Sequence, residues 1–141
     1  MLAFIIAVQL FGANARACYL AAEAFWNKTQ DTANDSISVT QQGYDRFADC
    51  AKIAASKINF DEESYYADTI GAMYAQAWLG VLYKRMPDDT KAHEHFSLAR
   101  ELNAEARTIV SSHDPTGIEA TLLQKRDDEY RDLDSGALAP R

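Results

Sequence analysis

Apolar residues recur three and four positions apart along most of this chain, and the longest polar-interleaved β-branched run is only Ile37-Ser38-Val39-Thr40. That periodicity predicts helices rather than strands. A first helix is expected from about Tyr19 to Lys28, carrying Tyr19, Leu20, Ala24, Phe25 and Trp26, followed by a polar loop over 29–37. Ser38 and Gln41 have capping-box form and open a second helix, whose apolar face is Tyr44, Phe47, Ala51, Ala54, Ala55 and Ile58. Asp61 then reads as an N-cap with Glu62 and Glu63 in the first turn, where negative charge suits the helix dipole.

The third helix is the clearest, from about Glu62 to Arg85, with a wide stripe of Tyr66, Ile70, Met73, Tyr74, Ala77, Trp78, Val81 and Leu82. Pro87 ends it, and Asp88 or Asp89 caps a fourth helix from about Thr90 to Ser111. Its inward residues are Ala92, Phe96, Ala99, Leu102, Ala106, Ile109 and Val110. Asp114-Pro115 reads as an N-cap with proline at the first helical position. A fifth helix then carries Ile118, Leu122 and Leu123 inward and runs to about Leu133, leaving 134–141 as a frayed tail.

Composition agrees with an all-α fold of antiparallel helical hairpins. The 141 residues are 48% hydrophobic, and Ala is the commonest residue at 24, which favours helix and excludes a disordered chain. The length allows one domain. Net charge changes the functional picture: Lys+Arg 14 against Asp+Glu 21 gives −7, with no basic cluster. Such a chain repels phosphate backbones and anionic lipid surfaces, so neither nucleic acid nor a membrane bound through a basic face is an expected partner.

The start of the chain has the form of an export signal. Leu2 to Phe11 is apolar apart from Gln9, and Ala15-Arg16-Ala17 supplies an A-x-A cleavage pattern, although no Lys or Arg precedes the run. Residues 1–17 are therefore expected to be a signal peptide, 18–133 the helical domain and 134–141 a tail. The expected localisation is periplasmic or secreted. Two alternatives stand beside it. Residues 1–24 form an uncleaved helix that anchors the protein in a membrane, or they form an ordinary buried first helix; the strictly apolar part falls short of the ~20 residues that span a bilayer. The only cysteines, Cys18 and Cys50, both survive cleavage. Two cysteines in an exported chain are expected to pair, the alternative being two buried free thiols.

The third and fourth helices carry more than amphipathicity. Leu79-Gly80, Tyr83, Ala92, Phe96 and Ala99 fall at fixed offsets. In this the chain resembles the tetratricopeptide repeat, whose L-G-x-x-Y, A-x-x-x-F and A positions share the spacing. Ala75-Gln76, Asp88 before Lys91-Ala92, and Asn103-Ala104-Glu105-Ala106 are also similar to the Sel1-like repeat. The turn from Lys84 to Thr90 lacks the longer Gly-containing form of that second family. One repeat is recognisable, over about 72–106. The resemblance implies an α–α superhelix fragment of about four to five helices, with Gly80 and Ala92 small so that two helices approach closely. It also implies protein–protein interaction rather than a reaction, through an inner face supplied by the third helix. On that face Asp68, Met73, Gln76 and Lys84 are the expected exposed partner-binding residues. A single repeat offers little groove, so a homodimer or a larger assembly is also expected.

Catalytic signatures are absent: no P-loop, no dinucleotide fingerprint, no C-x-x-C and no H-E-x-x-H. His93-Glu94-His95 places its two histidines on different helix faces, so it reads as solvated surface, as do Glu62-Glu63 and Asp127-Asp128-Glu129. Neither catalytic residues, a metal nor a cofactor is therefore expected. The leading expectation is a small exported adaptor for a protein or peptide partner. The alternatives are an accessory subunit of a membrane complex, held by the uncleaved first segment, and a secreted effector or enzyme whose site is assembled by folding.

Overall fold

The computed structural model describes residues 15–31, 36–55, 62–114 and 116–139. Among them are five helices and no strand: α1 (Ala15–Asp31), α2 (Ile37–Ala55), α3 (Glu62–Arg85), α4 (Asp89–Ser111) and α5 (Ile118–Ser135). The apolar run 2–11, Ile58, the Asp61 cap and Pro115 lie outside the described residues. No described helix is long and apolar enough to cross a membrane.

Helix boundaries follow local chemistry, with three departures from expectation. Helix α1 starts at Ala15 rather than near Tyr19, because Ala15-Arg16-Ala17 are all good helix formers. The cap of α2 is Ser36, whose hydroxyl accepts from the Val39 N–H at 3.1 Å; Ser38 is already inside the helix and Gln41 donates instead to Asp45 at 2.9 Å. Gly117 holds a left-handed φ of 72°, so α5 begins at Ile118 and not directly after Asp114. Asp114 still serves that helix from a distance, its Oδ2 accepting from the Glu119 N–H at 2.9 Å. The cap of α4 is as expected: the Asp88 carboxylate accepts from the Lys91 N–H at 3.1 Å.

Consecutive helices pack as antiparallel hairpins, and α3 lies in the middle. It contacts α1 and α2 on one side and α4 on the other, while α5 packs on α4 and meets only the edge of α3. Three of the junctions are built alike, with an aromatic ring lying over a glycine. Trp26 of α1 covers Gly43 of α2, Phe47 of α2 covers Gly71 of α3, and Phe96 of α4 covers Gly80 of α3. A Cβ at Gly80 would stand 2.8 Å from the Phe96 ring, and one at Gly43 would stand 2.8 Å from the Trp26 ring, inside van der Waals contact. The fourth junction is polar: the buried Asn103 of α4 donates from Nδ2 to the Leu123 carbonyl of α5 at 2.8 Å and accepts from Arg107 Nε at 2.8 Å.

Two cores result. The larger gathers Met73, Ala77 and Val81 with Ala92, Phe96, Ala99 and Leu123. The smaller joins Ala22, Phe47, Cys50 and Ala72. Beside it Cys18 and Cys50 form a disulfide, with Cα atoms 5.5 Å apart, that ties α1 to α2. In α5 the buried positions are Leu123, Asp127, Tyr130 and Leu133. Ile118 and Leu122, expected inward, are 62% and 52% exposed, because the later start of the helix and its single packed face turn them outward.

Two outcomes follow from this packing. Gly80→Leu is expected to lower stability by about 1–3 kcal/mol or more through overpacking against Phe96, and a neutral or raised thermal midpoint would remove the close-approach reading. Thiol titration of the unfolded, non-reduced protein is expected to find no free sulfhydryl. Reduction is expected to lower stability by up to about 3.5–4 kcal/mol, the chain-entropy value for a loop of this size, read from denaturant midpoints with and without reductant.

Candidate functional site

The packing around α3 decides which of its residues are available. The six signature positions converge at the α3–α4 junction: Leu79, Ala92, Phe96 and Ala99 are fully buried, Gly80 lies under Phe96, and Tyr83 stacks on His95 with ring centroids 5.3 Å apart. His95 is thus half-buried and bonded through Nδ1 to Gln76 Oε1 at 2.6 Å, not solvated as its motif suggested. Burial lowers its pKa, so the ring resists protonation. Asp127 is likewise no free surface charge: it is buried and clamped by Arg100 through contacts of 3.0 and 3.3 Å.

The expected partner-binding residues are not exposed. Asp68 and Met73 are fully buried, Gln76 is 2% exposed, and the Lys84 side chain is 13% exposed and paired with Asp89 at 3.2 Å. The reason is geometric. Helix α3 is covered on two sides, so its polar residues Asp68, Thr69 and Gln76 fall in helix–helix contacts together with Ala72, Ala75 and Leu79.

Of the stripe that periodicity assigns to the core, Met73, Ala77, Val81 and Leu82 are buried, and one edge is only partly covered. Tyr66, Ile70 and Trp78 are only partly buried and Tyr74 is 42% exposed. These four residues, each four apart, face the seam between α3 and α5, two helices that run parallel and touch little. The Tyr66 hydroxyl donates to Glu119 at 3.0 Å at one end, and the Arg126 guanidinium lies 5.9 Å from the Tyr74 ring further along. A cavity of about 350 Å³ at the first end is lined by Tyr66, Ile109 and Val110 with the acidic groups Glu62, Glu63, Asp114 and Glu119, and with His113, whose Nε2 lies 2.8 Å from Glu62. A second of about 550 Å³ at the other end is lined by Tyr74, Trp78, Val81, Tyr130, Leu133 and two arginines, Arg85 and Arg126. The seam therefore has aromatic walls, one acidic end and one end bearing guanidinium groups. A signal for it was present in the sequence. Tyr and Trp are amphipathic and suit a half-wet surface, whereas Asp68, Thr69 and Gln76 sit among small apolar residues at helical spacing.

Among the described residues no group of three His, Cys, Asp or Glu side chains is placed to hold a metal. Comparisons with protein-family models, with curated proteins and with solved structures find no match for this chain.

Asp68 needs its own account. Both its carboxylate oxygens are buried with no hydrogen-bond partner among the described residues. Burial pushes its pKa up to about 7, against ~4 in an unfolded chain. The folded state thus holds the proton more tightly than the unfolded state, and stability is lost as pH rises from about 4 through 7. Asp68→Asn keeps a polar group there but removes the charge, so it is expected to raise stability at about pH 8 by about 1–4 kcal/mol, at about 1.4 kcal/mol for each pH unit by which burial moves the carboxyl, and to change it little near pH 4. Denaturant midpoints of the two proteins at both pH values check this; equal effects at both would contradict it.

Proposed function

We propose that this protein is a small exported adaptor of stacked helical hairpins that binds a segment of another protein along the α3–α5 seam. The single observation that carries the reading is the row Tyr66, Ile70, Tyr74 and Trp78 along the sparsely packed α3–α5 seam, half-buried against the core and with Tyr74 42% exposed. Contiguous half-exposed aromatic surface is costly in water unless a partner covers it. The Phe96 ring over Gly80 supports the kinship with tetratricopeptide and Sel1-like hairpins, since the repeat signature calls for close approach at that pair. The Cys18–Cys50 bridge supports export, since such bonds persist in oxidising compartments. The reading contains no reaction and no cofactor.

A photo-crosslinking residue at Tyr74, compared with one at the exposed Leu98 on α4, tests this in the native compartment. The expected result is a discrete adduct from position 74 that is absent from position 98 and lost when Ile70 is changed to Glu. The same adducts from both positions, or none from position 74, would contradict it.

A further inference from the structure

Exposed apolar surface and negative charge meet at one end of the seam. On α5 the Glu119 carboxylate accepts from the Tyr66 hydroxyl of α3, and Arg126 lies over the Tyr74 ring. Leu122 stands three residues after the first and four before the second, so helical spacing puts it on the same edge of α5, between them. It is 52% exposed, and Ile118, one turn earlier, is 62% exposed. Next to this apolar edge lies the cavity of about 350 Å³ lined by Tyr66, Ile109 and Val110. The negative charge of that cavity survives a count of the partners already in place. Glu63 is taken by Arg16 and leaves the balance. The Thr116 hydroxyl and nearby backbone N–H groups hold Asp114 below the usual carboxylate range, so it stays ionised. Glu119 accepts from a neutral hydroxyl, which leaves its charge in place. Glu62 faces His113 at 2.8 Å, and the two side chains keep 44% and 57% of their surface exposed. Three helix ends meet here, the starts of α3 and α5 and the finish of α4; they supply about +0.5 net, so that even with His113 protonated the three remaining carboxylates leave about −1.5.

We propose that this cavity receives a lysine or arginine side chain of an apolar partner segment, whose apolar residues run along Leu122 and Tyr74. The inference rests on the adaptor reading, and it adds the chemistry of the occupant and its alignment in the seam. An apolar lining with clustered carboxylates suits a long aliphatic stem that ends in a cation, because the stem packs while the head stays half-wet. Charge complementarity selects against an acidic segment. From Tyr66 to Tyr74 is a little over two helical turns, ~12 Å, which an extended chain covers in about four residues. The apolar anchor therefore falls about four residues from the basic one, against Tyr74, Trp78 and Leu133, which line the cavity at the other end. Arg126 is not counted as a charge open to the occupant, since Glu129 engages it at 3.3 Å.

Isothermal titration of the full chain with the blocked peptide acetyl-Lys-Ser-Gly-Ser-Leu-Phe-amide, and with the same sequence reversed, tests this. The expected result is saturable binding of at least one order, at least about tenfold weaker when norleucine or glutamate replaces the lysine. Affinity is expected to fall between about 0.05 and 0.5 M salt. Glu62→Gln and Glu119→Gln are each expected to weaken the lysine peptide about fivefold, and Leu122→Ser by a similar factor. Glu101→Gln, exposed on α4 outside the lining, is expected to leave it unchanged. The changed side chains are exposed or half-exposed, so thermal midpoints are expected to stay within about 5 °C of the parent. No saturable binding of either order, equal affinity for the lysine, norleucine and glutamate peptides, or a loss in Glu101→Gln as large as in Glu119→Gln would overturn the inference. So would Nα-acetyl-lysine amide binding as tightly as the hexapeptide, which assigns a small ammonium ligand, or self-association abolished by Leu122→Ser, which assigns the seam to a second copy. An adduct to another protein from position 74, found alongside any of these results, keeps the adaptor and removes only the basic segment.

Discussion

The spacing of the helices rests on a steric constraint: an aromatic ring seated on the bare backbone of a glycine. Trp26 on Gly43, Phe47 on Gly71 and Phe96 on Gly80 fix three successive junctions. Each seat brings two helix axes closer than side chains on both sides would allow, and a closely packed interior leaves no slack to absorb an added methyl. The helix-forming cost of these glycines, about 1 kcal/mol each relative to alanine, is offset by burial of Phe47 and Phe96, both nearly inaccessible to water. The fourth junction has no such seat and relies on Asn103 bonded to a helix carbonyl and on Arg100 clamping Asp127. A polar, less tightly seated junction goes with a helix that packs mainly on one neighbour and presents Ile118 and Leu122 outward.

Close seating also explains where the surface chemistry lies. With α2 and α4 pressed against it, α3 buries polar residues that would otherwise face water. Gln76 is answered by His95, and Thr69 by the Tyr65 carbonyl at 2.8 Å. Asp68 is answered by nothing among the described residues and stays protonated further up the pH scale. The row Tyr66, Ile70, Tyr74 and Trp78 lines the seam with α5, three of its members resting against the core and Tyr74 exposed. The acidic and arginine-bearing ends of that seam give it a direction along which an occupant would be ordered.

Much of the architecture was legible in the sequence because it rests on local signals. Helix α3 runs over the residues its periodicity and the Pro87 stop predict, Asp88 caps α4, and the Gly80–Phe96 offset foretells a contact. What the sequence did not disclose depends on which face meets which neighbour. The repeat resemblance placed Asp68, Met73, Gln76 and Lys84 on an open inner face, but a helix enclosed on two sides buries whatever faces those sides. The apolar character of Tyr74 suggested core, but it is 42% exposed because the fifth helix meets only the edge of α3, whereas Tyr66 and Trp78 do pack against the core. The start of α5 was misplaced because a left-handed Gly117 inserts a turn that the Asp114-Pro115 cap signal does not contain. The Phe47–Gly71 seat was not foreseen because neither residue falls within the 72–106 stretch that resembles a repeat.

The measurement that bears most directly on this account is a double-mutant cycle on one seat. Gly80→Ala and Phe96→Leu are made singly and together, and unfolding free energies are read from denaturant curves. Helix propensity alone predicts that Gly80→Ala stabilises by about 1 kcal/mol in either background. The seated-ring account predicts that it destabilises when Phe96 is present and becomes neutral or stabilising once the smaller side chain of Phe96→Leu makes room, with a coupling of about 1 kcal/mol or more. Additive effects, with Gly80→Ala stabilising in both backgrounds, would contradict the claim that a glycine beneath an aromatic ring sets how these helices pack.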